Sequence, residues 1–293
     1  MSTGPHVDPA RKHDFVFLYD VTDGNPNGDP DAAGTPRTDP ETMQGLVTDV
    51  AIKRKIRNMV TLFGEGKPKP GNDIYVEAGV SLNSQHERAY EALGLPDGKD
   101  SEAIAQQWMC QTFFDVRMFG AVMSTGKKPA GRVQGPVQLT FSRSIDPVLP
   151  HEHGITRATR TREEDSKKTD MGSKHTVPYG LYRGIGHFSA PLAKRTGVTS
   201  EDLAMLWRSM EWMFEHDHSS SRAEMALRGL YVFTHSDAFG TAPAHVLTDA
   251  VKIERAVDSG NTIAPPIRSF TDYRVTIDET EIPNGITLTK IVG

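Results

Sequence analysis

FVFLYDVTDGNPNGDPDAAGTPRTDP (residues 15–40) leads into GLVTDVAIKRKIRN (residues 45–58), and these two blocks decide how the rest of the chain is read. Residues 14–21, DFVFLYDV, are almost wholly aromatic and aliphatic, the composition of a buried strand. Residues 22–40 are so rich in Gly, Pro, Asn and Asp that they read as loop. Glu41 and Thr42 then open a helix predicted over 43–60, with Val47, Ile52, Ile56 and Val60 as its apolar anchors.

Lys53 and Arg57 are four residues apart and Arg54 is one step round, so the pattern predicts three cations on one helix face. Like charges at that spacing repel, and a solvated face would usually interleave Glu. Two readings remain: a solvated face, or a helix that contacts a phosphate backbone. Arg37, in TPRTD at the mouth of the loop, would add a bidentate phosphate contact. The loop opens as D-x-N-x-N-G at residues 23–28, as a calcium loop does. The twelfth position is Gly34 instead of Glu, however, and Pro26 and Pro30 interrupt it, which argues against calcium. It is either a rigid connector or a loop whose backbone N–H groups, around Asn25, Asn27 and Gly28, approach phosphates.

Further along, strands are expected at 73–80 and 131–145 and helices at 85–93 and 102–114. Residues 146–179 are long, polar and of mixed charge, either a disordered linker or an arm that orders on a partner. A strand is expected at 182–190. An amphipathic helix follows from a Ser200 cap, with Leu203, Leu206, Trp207, Met210, Trp212 and Met213 packing into the core. Residues 219–229 read as helix, 230–235 as strand, and 273–277 with 286–292 as a terminal hairpin around Pro283-Asn284-Gly285. Strand–helix–strand twice over is the order of a split βαβ core.

The chain has 293 residues, 37% hydrophobic and 24% charged, enough for two domains or one elaborated one. No apolar run approaches a membrane span and the first residues lack a signal peptide's apolar segment, so a cytoplasmic location and no membrane partner are expected. The single cysteine, Cys110, lies among Trp108, Met109, Phe113 and Phe114 and reads as a buried thiol. His151–Glu152–His153 and His216–Asp217–His218 lack a third ligand at metal spacing. There is no nucleophile-elbow G-x-S-x-G, Walker A sequence or dinucleotide fingerprint, so no catalytic residue, metal or cofactor is expected. The formal charge of −5 argues against a generally nucleic-acid-binding surface, yet Lys53, Arg54, Lys55, Arg57, Lys67 and Lys69 cluster against Glu65 alone.

The opening blocks resemble the amino-terminal signature of the type I-C CRISPR-associated Cascade backbone subunits, the Csd/Csh-like branch of the RAMP superfamily. DVRMFGAV (115–122), GPVQLTFSRSIDP (135–147), HTVPYGLYRG (175–184) and SRAEMALRGLYVFTHSDAFG (221–240) resemble the same family, so the likeness spans roughly residues 13–255. The resemblance implies an α+β fold: a modified RRM or ferredoxin-like palm forming one elaborated domain over 13–293. It would carry a mostly helical finger inserted at 63–130 and a hairpin thumb at 146–179. It also implies a subunit that polymerises along CRISPR RNA beside other Cascade subunits and presents the guide to target DNA.

By the family pattern, Lys53, Arg54 and Arg57 would hold guide phosphates, with Arg37 and the loop of Asn25, Asn27 and Gly28 beside them. Arg157, Arg160 and Arg162 would be thumb contacts, and Met118 and Phe119 would flank a base. The aromatic RNA-binding motif usual in RRM domains is absent, so stacking on the central sheet is not expected. Phosphate contacts supply affinity without sequence preference, and neighbouring copies multiply weak contacts. An alternative is a metal-dependent RNase of the type III backbone kind, using Asp29, Asp31 or Asp39.

Overall fold

The computed structural model describes residues 3–65, 70–157, 170–256 and 266–293. In chain order its strands are β1 (His13–Gly24), β2 (Gln44–Val47), β3 (Gly120–Met123), β4 (Gly131–Gln134), β5 (Val137–Leu139), β6 (Ser142–Pro147), β7 (His151–Arg157), β8 (Asp170–Phe188), β9 (Glu224–His235), β10 (Val251–Arg255), β11 (Tyr273–Ile277) and β12 (Ile286–Val292). Its α-helices are α1 (Asp49–Gly64), α2 (Leu82–Leu93), α3 (Glu102–Thr112), α4 (Phe114–Phe119), α5 (Ala190–Thr196), α6 (Ser200–Trp212) and α7 (Ala244–Asp249). The main sheet is antiparallel in the order β12-β9-β1-β8-β6-β2, with β5 and β7 also pairing to β8.

β1 is central because both of its faces are apolar. Phe15, Phe17 and Tyr19 point to one side and Val16 and Leu18 to the other. On the first side they meet α1 and α6. There Phe15 packs edge-on to Trp207 at 5.0 Å, and Tyr19 stacks on Tyr182 at 5.4 Å. β8 makes room for these rings by omitting side chains: a β-carbon on Gly184 would stand 2.1 Å from Phe17, and one on Gly186 2.0 Å from Phe15. The other side is covered by α7 and the β10–β11 hairpin. A separate core of Tyr75, Tyr90, Met109, Phe113 and Val116 holds α2–α4 together with β3 and β4.

Several expectations are corrected. The helix predicted from residue 43 begins at Asp49, because Gln44–Val47 pairs with β6 and Thr48 caps the helix by accepting from the Ala51 N–H. Residues 73–80 form no strand: the Asp115 carboxylate takes the Tyr75 and Val76 N–H groups at 2.8 and 3.0 Å in place of a ladder. Residues 131–145 are three strands, broken at Gly135-Pro136 and Thr140-Phe141. Of the polar stretch left as a linker or an arm, the described residues form a two-stranded ribbon of β7 and β8, and β8 runs unbroken from it into the main sheet. Residues 219–223 precede β9, which begins at Glu224; its Met225 and Leu227 pair with β1, and this sheet pairing overrides their helical preference. β11 and β12 do not pair with each other: β11 joins β10, and β12 joins the edge of β9. Trp207 is buried as expected, whereas Trp212, at the end of α6, is 44% exposed. No described helix is long and apolar enough to cross a membrane.

Candidate nucleic-acid interface

The loop after β1 folds back on itself and docks against the start of α1. Asn25 Nδ2 donates to the Gly34 carbonyl at 2.7 Å, and the Asn25 N–H donates to the Ser221 carbonyl at 2.7 Å. Asn27 Oδ1 accepts from the Thr48 N–H at 3.0 Å, tying the loop to the residue that caps α1. Gly28 lies so close to the returning strand that a β-carbon would stand 2.9 Å from the Gly34 oxygen. The asparagines therefore hold the loop's shape with their side chains. What they leave facing outward is a cleft of about 510 Å³, lined by Asn25, Pro26, Asn27, Gly28, Arg54 and Asn58 together with Lys55, Asp217 and Arg222.

The structure divides the three helix cations between two flanks. At about 100° per residue, Arg54 lies about 100° round the helix from Lys53 and about 60° from Arg57, while Lys53 and Arg57 are only about 40° apart. Arg54 faces the cleft, exposed and, among the described residues, without an ion pair. Lys53 and Arg57 lie over the Phe119 ring at 5.7 and 5.3 Å. Lys53 pairs with Asp49 at 2.9 Å, and Arg57 Nε donates to the buried Asp115 carboxylate at 2.7 Å. Arg57 is thus spoken for by the fold. Arg37 is outside the cleft lining and pairs with Asp29 at 3.2 Å. Met118 is wholly buried and presents no surface, and Phe119 is buried beneath the two cations, so the structure brings neither ring nor thioether out to meet a base.

Arg157 ends β7 at the tip of the described ribbon; Arg160 and Arg162 lie outside the described residues. The loop aspartates are engaged locally. Asp29 accepts from the Asp31 N–H at 3.1 Å besides pairing with Arg37. Asp39 accepts from the Glu41 N–H at 3.0 Å and pairs with Arg143 at 2.8 Å. Asp31 lies exposed in the short turn after Asp29. Among the described residues no group of three or more His, Cys, Asp or Glu side chains is placed to hold a metal.

Sequence reasoning missed the cleft's far wall. Lys55 is buried against Asp217, which also takes Arg222 Nε at 2.8 Å. Burial lowers the Lys55 pKa against the pull of Asp217. Within KRK, Lys55 looks like its neighbours; only its offset of one from Ile56 and three from Ile52 places it at the apolar border. Its partner lies 162 positions away, beyond any local signal.

A family model described as CRISPR-associated protein Cas7 matches residues 11–278. A curated relative, "CRISPR-associated protein Cas7" of Haloferax volcanii, is 27% identical over 229 residues, covering 69% of this chain and 64% of the relative. The chain thus spans a little under two thirds of that relative's length. A solved chain of a "CRISPR RNA-guided surveillance complex, pre-nicking" is similar at TM-score 0.48 and 13% identity, over 76% of this chain and 78% of that one. A chain of a "CRISPR RNA-guided surveillance complex" is similar at TM-score 0.45 and 13% identity, over 76% and 68%. With the model matching nearly the whole length, the chain belongs to the CRISPR-associated Cas7 family.

Proposed function

We propose that this chain is a non-catalytic backbone subunit of a type I-C Cascade interference complex. It binds CRISPR RNA, polymerises along it beside other Cascade subunits, and presents the guide for pairing with target DNA. The observation that carries the reading is the cleft after β1, where a loop held close by Gly28 faces an arginine with no carboxylate partner among the described residues. An RNA backbone supplies what such a site lacks: repeated anions without sequence.

The architecture supports it. The strand order β9-β1-β8-β6, with α1 after β1 and α6 between β8 and β9, supports reading the sheet as a split βαβ palm. On this reading residues 63–130, with their separate core, are the finger, and the ribbon within 146–179 is the thumb. Arg157, Arg160 and Arg162 are then its contacts to RNA or to a neighbouring copy.

The test is the salt dependence of guide-RNA binding. Each lost phosphate contact flattens the slope of log K against log salt by about 0.7. Arg54→Ala is expected to show this loss and Lys53→Ala a smaller one, whereas an unchanged slope for Arg54→Ala removes the cleft from the reading. Mg²⁺-dependent cleavage of a paired RNA, abolished by Asp31→Ala, would replace the non-catalytic reading with the nuclease one.

A further inference from the structure

Two exposed arginines, neither with a carboxylate partner among the described residues, line one cavity from different elements. Arg132 stands on β4 and Arg195 in the last turn of α5. The cavity, of about 440 Å³, takes the rest of its wall from Val133 and Gln134 of β4, Gln106 and Cys110 of α3, and Leu192 and Thr196 of α5. Three other cavities each include a carboxylate: Asp146 at the foot of the ribbon, Asp217 in the cleft after β1, and Glu201 with Asp202 at the start of α6. This wall has none. Within a chain of formal charge −5, it is a local positive site where anions concentrate.

The cavity lies where the two cores meet. Val133 belongs to the separate core of α2–α4, and Ala193 of α5 to the main one. Arg117 of α4 bolts the two together beside it. Its Nε and Nη2 donate to the Asp202 carboxylate at 2.9 and 2.7 Å, and its Nη1 donates to the Cys110 carbonyl at 2.6 Å. Gln106 Nε2 donates to the Arg132 carbonyl at 3.0 Å, tying α3 to β4. The walls are thus held before a ligand arrives, which lowers the cost of ordering them on binding. The cavity shares no lining residue with the cleft after β1. Thr196 comes just before the Thr199 cap of α6, whereas Asp217 and Arg222 of the cleft lie beyond that helix's end. A 13-residue helix spans about 20 Å, so the two sites are separate.

Each guanidinium offers a planar fork of N–H donors that matches phosphate oxygens. A phosphomonoester carries a charge of about −1.5 to −2 at neutral pH, enough for both arginines. The glutamine amides offer donors and acceptors together, as the edge of a base requires, and Val133 and Leu192 offer an apolar wall for a sugar or a base face. The volume also falls in the range of pockets that enclose small molecules, about 300–1,000 Å³. A bare phosphate or a carboxylate would engage the arginines and leave the amides and the apolar wall unmatched.

We infer that this cavity binds a nucleotide through its phosphate, either as a free mononucleotide or as one unit of a strand. The site goes beyond the guide-binding reading and does not depend on it.

Arg132→Ala and Arg195→Ala alter exposed side chains without ion pairs, so both variants are expected to keep the fold. The purified full chain is titrated calorimetrically with each of the four ribonucleoside 5′-monophosphates, with inorganic phosphate and with adenosine. At least one monophosphate is expected to bind about tenfold more tightly than phosphate or adenosine, and each arginine variant to weaken it about tenfold. Arg54→Ala is expected to leave this binding unchanged, and the two variants to leave the affinity for guide RNA unchanged. A short single-stranded oligodeoxynucleotide, added to the Arg54→Ala chain, separates the two sources. Binding much tighter than the monophosphate's, and lost with Arg132 and Arg195, assigns the ligand to a strand; binding no tighter assigns it to a free nucleotide. Failure of monophosphates and oligonucleotide alike to bind overturns the proposal. So does binding indifferent to both arginines, or inorganic phosphate binding as tightly as the monophosphates. A polyglutamate peptide that binds through the same two arginines, where monophosphates do not, overturns the nucleotide as occupant. A chain that takes up no guide RNA, yet binds a monophosphate through Arg132 and Arg195, keeps this site and removes the guide reading.

Discussion

Arg54 and Arg57 stand three positions apart on one helix and serve different ends. Arg57 neutralises Asp115, whose oxygens also hold two backbone N–H groups, so Arg57→Ala leaves a buried carboxylate short of its cation. Its expected cost is about 3 kcal/mol, measured as a lower urea midpoint. Arg54→Ala, at an exposed position, should leave that midpoint within about 0.5 kcal/mol of wild type. His13 sets a pH dependence. Burial pushes its imidazole down to about 4, with Nε2–H donating to the Asp8 carbonyl at 2.9 Å and Nδ1 accepting from the Thr234 hydroxyl at 3.0 Å. Between about pH 6.5 and 4 the unfolded chain binds the proton and the native one does not, so stability is full above 6.5 and falls toward 4. The loss is at most about 3 kcal/mol. Asp14, held low by His187, His235 and Lys12 against its burial, adds its own loss only below the ordinary Asp range, so the two separate. His13→Gln should flatten the urea midpoint between pH 6.5 and 4; an unchanged profile would contradict this assignment. The cations were visible in the sequence, but their division was not, because the partners of Arg57 and Lys55 come from α4 and from beyond α6.

Strands and helices with a strong apolar period were legible: β1, α2, α3 and α6 lie close to where their patterns put them. Failures came where a distant strand or a side chain made the backbone's hydrogen bonds. Residues 44–47 became β2 because β6 was available, and residues 73–76 became loop because Asp115 supplied the acceptors. The glycines of β8 carry a message that the sequence shows only in retrospect. Gly184 and Gly186 look like strand weakeners, yet they are the spaces into which Phe17 and Phe15 fit. Gly184→Ala should therefore destabilise, by about 1–3 kcal/mol or more, where Gly→Ala on an open strand would not. Relief by Phe17→Leu in a double-mutant cycle would show that the ring is the obstacle, and independent, additive losses would contradict it.

At the scale of the whole molecule, the proposed function requires a chain of formal charge −5 to bind RNA through local clefts repeated by assembly. On that reading the strand order, the separate helical core and the ribbon give the subunit a floor, a flank and an arm; the polar composition of residues 146–179 left a linker and an arm both open, and the separate core was not evident from composition. The central claim is that this chain coats CRISPR RNA. It is tested most directly by purifying the protein from cells expressing a CRISPR array and following the ratio of absorbance at 260 and 280 nm across gel filtration, at low and high salt. The account predicts a large, RNA-rich species whose RNA sequences are guides. A clean, RNA-free monomer at both salts, unchanged when the other Cascade subunits are supplied, would contradict it.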